Sequence, residues 1–91
     1  MGMQFPKKVT VSGQVVKGAG HLGSVLITPG STETTLVLYD NEAASGTELF
    51  NGKLAANGDT KQFVYVPGMR FTTGIYASIT GTGAVAIVGY Y

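Results

Sequence analysis

The chain has no cysteine and no tryptophan, and only one histidine and three prolines among its 91 residues. Each shortage excludes something. Without cysteine there is neither a disulfide nor a thiolate metal site, and nothing in the sequence marks a redox compartment. A lone histidine would need carboxylates such as Asp40, Glu42 or Glu48 to complete a metal site, and no spacing requires them to converge. Charge is also scarce: Asp, Glu, Lys and Arg make up 12% of the residues, about half of the roughly 25% usual in soluble domains. The six cations are dispersed among five acids for a net charge of +1, which excludes the basic footprint of a nucleic-acid binder. No apolar run approaches the ~20 residues of a membrane-crossing helix, and the start MGMQFPKK lacks the apolar core of a secretory signal. Pro6 stands where a myristoylation signal wants Ser or Thr. The expectation is a protein made and kept in a cytoplasm, with no membrane and no nucleic-acid partner.

Apolar residues reach 44% and glycine numbers 14. A single domain of this size leaves about 5,000 Å² of surface accessible and buries roughly 63% of what its unfolded chain exposes. That is marginal for a monomer without staples, and with so little charge it points to an assembled state, either a homo-oligomer or a chain held on a larger shell.

The apolar pattern has period two and no window has helical period. Phe71, Thr73, Ile75, Ala77 and Ile79 alternate with Thr72, Tyr76, Ser78 and Thr80. A three-residue loop at Gly81-Thr82-Gly83 then predicts a hairpin that sets Ile79 opposite Val85 and Ala77 opposite Ile87; a two-residue loop would set Ala77 opposite Ala86 and bury less. On this reading Ile75, Ala77, Ile79, Val85 and Ile87 face the core. Tyr76, Val88, Tyr90 and Tyr91 are left for contact with another molecule, with the chain's end at a sheet edge or interface rim. Upstream, residues 8–17 read as one strand with a possible bulge at Gly13, paired with a second strand over 22–28 that ends at Pro29-Gly30-Ser31. Residues 33–40 and 48–56 supply two more. A four-residue loop over 57–60 places Leu54 opposite Phe63, where a two-residue Asn-Gly turn would oppose Leu54 to Lys61, and a fifth strand over 61–66 stops at Pro67-Gly68. About seven short strands punctuated by Gly and Pro predict an all-β fold, an antiparallel two-sheet β-sandwich or jelly-roll-like barrel. Residues 8–91 form that domain. Residues 1–7 show no periodicity and are expected as an N-terminal arm, disordered in the free protein, whose Met3, Phe5 and Pro6 lie against a neighbouring subunit in the assembly.

Chemistry-bearing motifs are few. Gly18-Ala19-Gly20-His21-Leu22-Gly23 has the spacing of a dinucleotide fingerprint, but Pro29 leaves no room for the helix that would aim its amino terminus at a pyrophosphate. Asp40-Asn41-Glu42 lacks the alternate spacing of a calcium loop and reads as a strand end whose side chains bond their own backbone. No serine has an acid-base partner placed for it. The expectation is therefore no enzyme, no cofactor and no metal. The aromatics are mostly in strand phase, so core or subunit contact is the better reading than a sugar-stacking surface.

Val15-Val16-Lys17-Gly18-Ala19-Gly20, Thr28-Pro29-Gly30-Ser31, Leu36-Val37-Leu38-Tyr39-Asp40-Asn41 followed by Ala44-Ser45-Gly46-Thr47, and the ending Gly74-Ile75-Tyr76 to Thr80-Gly81-Thr82-Gly83-Ala84-Val85 together span about residues 15–91. In that order they resemble small structural proteins of tailed bacteriophages and prophages. The resemblance implies a virion component with a β-sandwich fold: a capsid decoration or cement protein held by the major capsid protein, or else a tail or fibre accessory protein contacting other virion proteins. It brings no catalytic residues. A soluble glycan-binding module is the alternative outside the virion.

Overall fold

Leu36 and Leu38 alternate with Thr35, Val37 and Tyr39, and Ile75, Ala77 and Ile79 alternate with Tyr76 and Ser78; in both runs the first set is buried and the second half-exposed. Strands with one wet face produce this pattern. The computed structural model describes residues 5–91, and among them the side chains of 6–63 and 69–91. It contains eight strands: β1 Phe5–Val9, β2 Gly13–Lys17, β3 Gly20–Thr28, β4 Thr34–Tyr39, β5 Glu48–Leu54, β6 Lys61–Phe71, β7 Gly74–Thr80 and β8 Val85–Tyr90.

Their pairing follows one rule. β4 pairs with β5, β3 with β6, β2 with β7 and β1 with β8, all antiparallel, so the chain is doubled into a long two-stranded ribbon with the β4–β5 loop at its tip. Wrapping that ribbon brings β8 against β3 and β7 against β4. The strands sort into sheet A, in the order β1-β8-β3-β6, and sheet B, in the order β2-β7-β4-β5. This is the arrangement of an eight-stranded jelly roll, an all-β, two-sheet antiparallel sandwich as the sequence led us to expect. The accessible surface is 5050 Å², close to the size-scaling value.

Several expected pairings are overturned by the wrap. Residues 8–17 are two strands, because the chain leaves sheet A after Val9 and enters sheet B at Gly13. At the crossing the Ser12 hydroxyl stands in for a ladder partner, accepting from Ile79 N at 3.0 Å and donating to Ile79 O at 3.3 Å. The register shift in β2 lies between Gln14 and Val16 rather than at Gly13, and β2 pairs with β7, not with β3. Leu54 and Phe63 do not oppose each other, since β5 and β6 are edge strands of different sheets. A ring contact closes that flank instead, Phe50 of β5 against Phe63 of β6 with centroids 4.9 Å apart. β6 runs through Pro67 and Gly68 to Phe71. Of the arm expected over residues 1–7, residues 5–7 are laddered to β8, with Phe5 opposite Tyr90 and Pro6 opposite Gly89. A proline is tolerated there because β1 is an edge strand. Met3 and the rest of 1–4 lie outside the described residues.

The largest correction concerns β7 and β8, which are not a hairpin. β7 belongs to sheet B and β8 to sheet A, so residues 81–84 cross the sandwich and the alternation of one strand does not carry into the next. In β7 the inward set is the expected one. In β8 it is the other one: Ala84, Ala86 and Val88 are buried, while Val85 is half-exposed and Ile87 is 36% exposed. Ala86 is small because it sits between Val9 and Ile27 on the flanking strands, where a larger residue would overpack the layer.

Within β8, therefore, Val88→Ala removes packed methyl groups from the core and costs roughly 2 kcal/mol. Ile87→Ala, on the outer face, costs less than about 1 kcal/mol. Urea denaturation of the two variants checks the parity, and the reverse order would refute it.

Candidate interaction surfaces

With β8 turned this way, the outer face of sheet A is built by register. One row runs Lys8, Ile87, Leu26 and Gln62 across β1, β8, β3 and β6. Beside it Val85 stands opposite Thr28, whose hydroxyl meets that of Thr60 at 3.0 Å. On the other side come Pro6, Gly89 and Ser24, with Gly89 buried. Beyond them Arg70 lies opposite His21, and His21 exchanges two backbone hydrogen bonds with Tyr91 and stacks on its ring at 5.1 Å. The central strands thus present Leu26, Val85 and Ile87. Lys8 of the edge strand β1 and Arg70 of the edge strand β6 share this face, whereas Lys7 and Lys61 stand opposite the buried Val88 and Ile27 and have the inward parity. None of the four strands contains Asp or Glu.

Sheet B has a different outer face. Its rows are Thr80, Thr35 and Lys53, then Ser78, Val37 and Asn51, then Gln14, Tyr76, Tyr39 and Glu48. Hydroxyl and amide groups dominate, and the Lys53–Glu33 pair at 3.6 Å is exposed on both sides and contributes little.

At the end of β4 it is Asn41 that bonds its own backbone, its side-chain oxygen accepting from Glu42 N at 2.8 Å; Asp40 reaches further. Its carboxylate accepts from the backbone N–H of Thr73 at 2.8 Å, from Thr72 N at 3.1 Å and from the Thr72 hydroxyl at 3.3 Å, with Gly74 N at 3.4 Å, and so caps the β6–β7 turn. Partial burial opposes its ionisation, but the N–H groups of Thr73, Thr72 and Gly74 and the Thr72 hydroxyl outweigh it and hold the carboxyl below its ordinary value. Gly74 beside it has φ +149°, and a Cβ there would lie 2.5 Å from Val16 O and 3.1 Å from the Gln14 amide nitrogen. That Gln14 nitrogen donates to Val16 O at 2.8 Å and Ile75 O at 3.0 Å, satisfying carbonyls at the bulge.

The residues expected to make contacts do not form one surface. Pro6 is exposed on the edge strand of sheet A, and Phe5 is in β1 with its side chain outside the described residues. Tyr76 is half-buried on sheet B. Val88 is fully buried, and Tyr90, opposite Leu22, packs against the core. Of the two terminal tyrosines only Tyr91 is on the outer face. Missed by the sequence reading were Leu26, Val85 and Ile87, whose alternation with Val25, Ala86 and Val88 reads as apolar on both faces.

Residues 18–23 lead from β2 through a turn, with Gly18 at φ +92°, directly into β3. A hollow of about 230 Å³ is lined by residues 7–15 alone, and Val11 beside it is 75% exposed. Among the described residues, no three His, Asp or Glu side chains come together as a metal site, and no helix is long and apolar enough to cross a membrane. No protein family, no curated protein and no solved structure matches the chain.

The Asp40 cap sets a pH dependence. A carboxyl whose folded pKa lies below its unfolded value, about 3.9, stabilises the fold fully above that value and ceases to do so as pH falls through the lower, folded one. Asp40→Asn should cost about 1 kcal/mol at pH 7, the low end for bonds to a charged group because the site is wet. The gap between variant and wild type should narrow below about pH 4. Chemical denaturation across pH 2–7 measures it, and a constant gap would show that the charge has no part in the cap.

Proposed function

We propose that this chain is a non-enzymatic structural protein of a tailed-phage virion, and within the virion a decoration or cement protein that stabilises the head by contacts with the major capsid protein. The observation that carries this reading is the outer face of sheet A, an apolar band on the central strands with Lys8 and Arg70 on the two edge strands and no acid in any of the four strands, in a chain of low overall charge. Cement proteins act by covering joints between shell subunits, and a broad, flat, weakly charged face suits that work. Two further points support the reading. The strand-and-turn motifs resemble those of phage structural proteins, and jelly rolls are one of the folds used in capsids. The second point is an analogy of fold, which alone assigns no function.

Quantitative mass spectrometry of purified particles, separated into heads and tails, tests the proposal. The protein should co-sediment with heads in tens to hundreds of copies. Recovery with tails alone, or in a few copies per particle, would make it a tail or fibre accessory protein, and absence from particles would end the virion reading.

A further inference from the structure

The proposed function leaves open which surface meets the shell. We infer that the docking surface is the outer face of sheet A, and that its occupant is a protein surface with an apolar centre and carboxylates at its rim. The inference rests on the virion reading for the identity of the partner and on the arrangement of residues for its chemistry.

Interfaces that hold have a desolvated apolar middle and a polar rim. On sheet A the strand order produces that plan. β8 and β3 lie in the middle and place Leu26, Val85 and Ile87 outward. β1 and β6 lie at the edges and bring Lys8, opposite Ile87, and Arg70, opposite His21, to this face. None of the four strands of this sheet contains an acid: Glu33, Asp40, Glu42 and Glu48 belong to β5 or to the loops flanking β4 in the other sheet, and Asp59 lies in the loop before β6. Lys8 and Arg70 call for carboxylates on the occupant.

The same charges disfavour a twofold pairing of this face with itself. An isologous contact sets a surface patch against its own copy, and Lys8 and Arg70 would find no carboxylate within the four strands of that copy's sheet. Addition of a partner strand to the β1 edge is disfavoured too, because Pro6, Lys7 and Lys8 are the residues that blunt an open edge. Area is sufficient: the molecule measures 34 × 26 × 17 Å, and its broad face is comparable to the ~800 Å² that each partner contributes to a standard interface.

The test uses heads purified from particles made without this protein, to which the full-length chain is added back and binding measured by co-sedimentation. Ile87→Glu places an anion in the apolar centre, and Lys8→Glu reverses one rim charge while leaving Leu26, Val85 and Ile87 in place. Val37→Glu does the equivalent on sheet B. With melting temperatures close to wild type, Ile87→Glu should weaken head binding by tenfold or more. Lys8→Glu should weaken it by a smaller factor, Val37→Glu should bind as wild type, and wild-type binding should fall as salt is raised from about 50 to 500 mM. If wild type binds heads and Val37→Glu loses binding while Ile87→Glu and Lys8→Glu retain it, the face is wrong and the function stands. Salt-independent binding would overturn the acidic rim. If wild type does not bind heads, the cement reading fails and takes this inference with it.

Discussion

Six of the seven connections in this chain cross from one sheet to the other, and only β4–β5 turns back within its own sheet. A jelly roll therefore depends on its crossing loops being held, since a loose crossing would let the ribbon unwrap. At one end the loops are zipped together. Gly30 N donates to the Thr34 hydroxyl at 3.1 Å, Ser31 N to Thr82 O at 2.8 Å, Thr82 N to the Thr32 hydroxyl at 2.8 Å and Asn57 N to Gly30 O at 2.8 Å. The approach is so close that a Cβ on Gly30 would collide with the Thr82 carbonyl and Ala84 nitrogen. At the other end Asp40 caps residues 72–74, and Gly18 N reaches Thr73 O at 2.9 Å. The core between these two clasps is wholly apolar but for Thr34, the one buried polar residue among those described, whose hydroxyl belongs to the first clasp.

The clasps also explain what the sequence could and could not disclose. Period-two burial in β4 and β7 was legible because Thr, Ser and Tyr alternate there with Leu, Ile and Ala, and the local pattern decides which face is dry. The turn at 81–83 was legible as a turn. Its destination was not, because a short glycine-containing loop serves a hairpin and a sheet crossing equally well. What distinguishes the two is that Thr82 is held by Ser31 and Thr32, some fifty residues away, and no window around Thr82 contains that information. The same holds for Asp40. Its type suits a strand end, but the N–H groups it accepts from lie 32 to 34 residues on.

The parity of β8 failed for a different reason. Choosing the larger residues, Val85 and Ile87, as the inward set assumes that burial follows size. In a packed layer the quantity conserved is volume, and Ala86 is inward because Val9 and Ile27 already fill the space beside it. Once that choice is reversed, the candidate surface moves. Val88 leaves it for the core, and Ile87 joins Leu26 and Val85 in the middle of an outer face. The surface could not have been assembled from sequence, since Leu26 and Ile87 are neighbours only through the β3–β8 pairing that the wrap creates.

That pairing has a consequence for the chemistry of the two broad faces. In a ribbon wrapped this way, the first and sixth strands become the edges of one sheet while the third and eighth become its centre. Cations placed on β1 and β6 therefore do two things at once. They blunt the open edges against strand addition, and two of them, Lys8 and Arg70, flank the apolar residues that β3 and β8 turn outward. Sheet B takes its edges from β2 and β5 and its centre from β4 and β7, whose outward positions are Thr, Val, Tyr and Ser. Such a face can remain hydrated without exposing a continuous apolar patch. The asymmetry between the faces thus comes from which strands the wrap makes central, and a change of hydropathy at a few alternate positions in β3 and β8 is enough to make one side of the slab dry while the other stays wet.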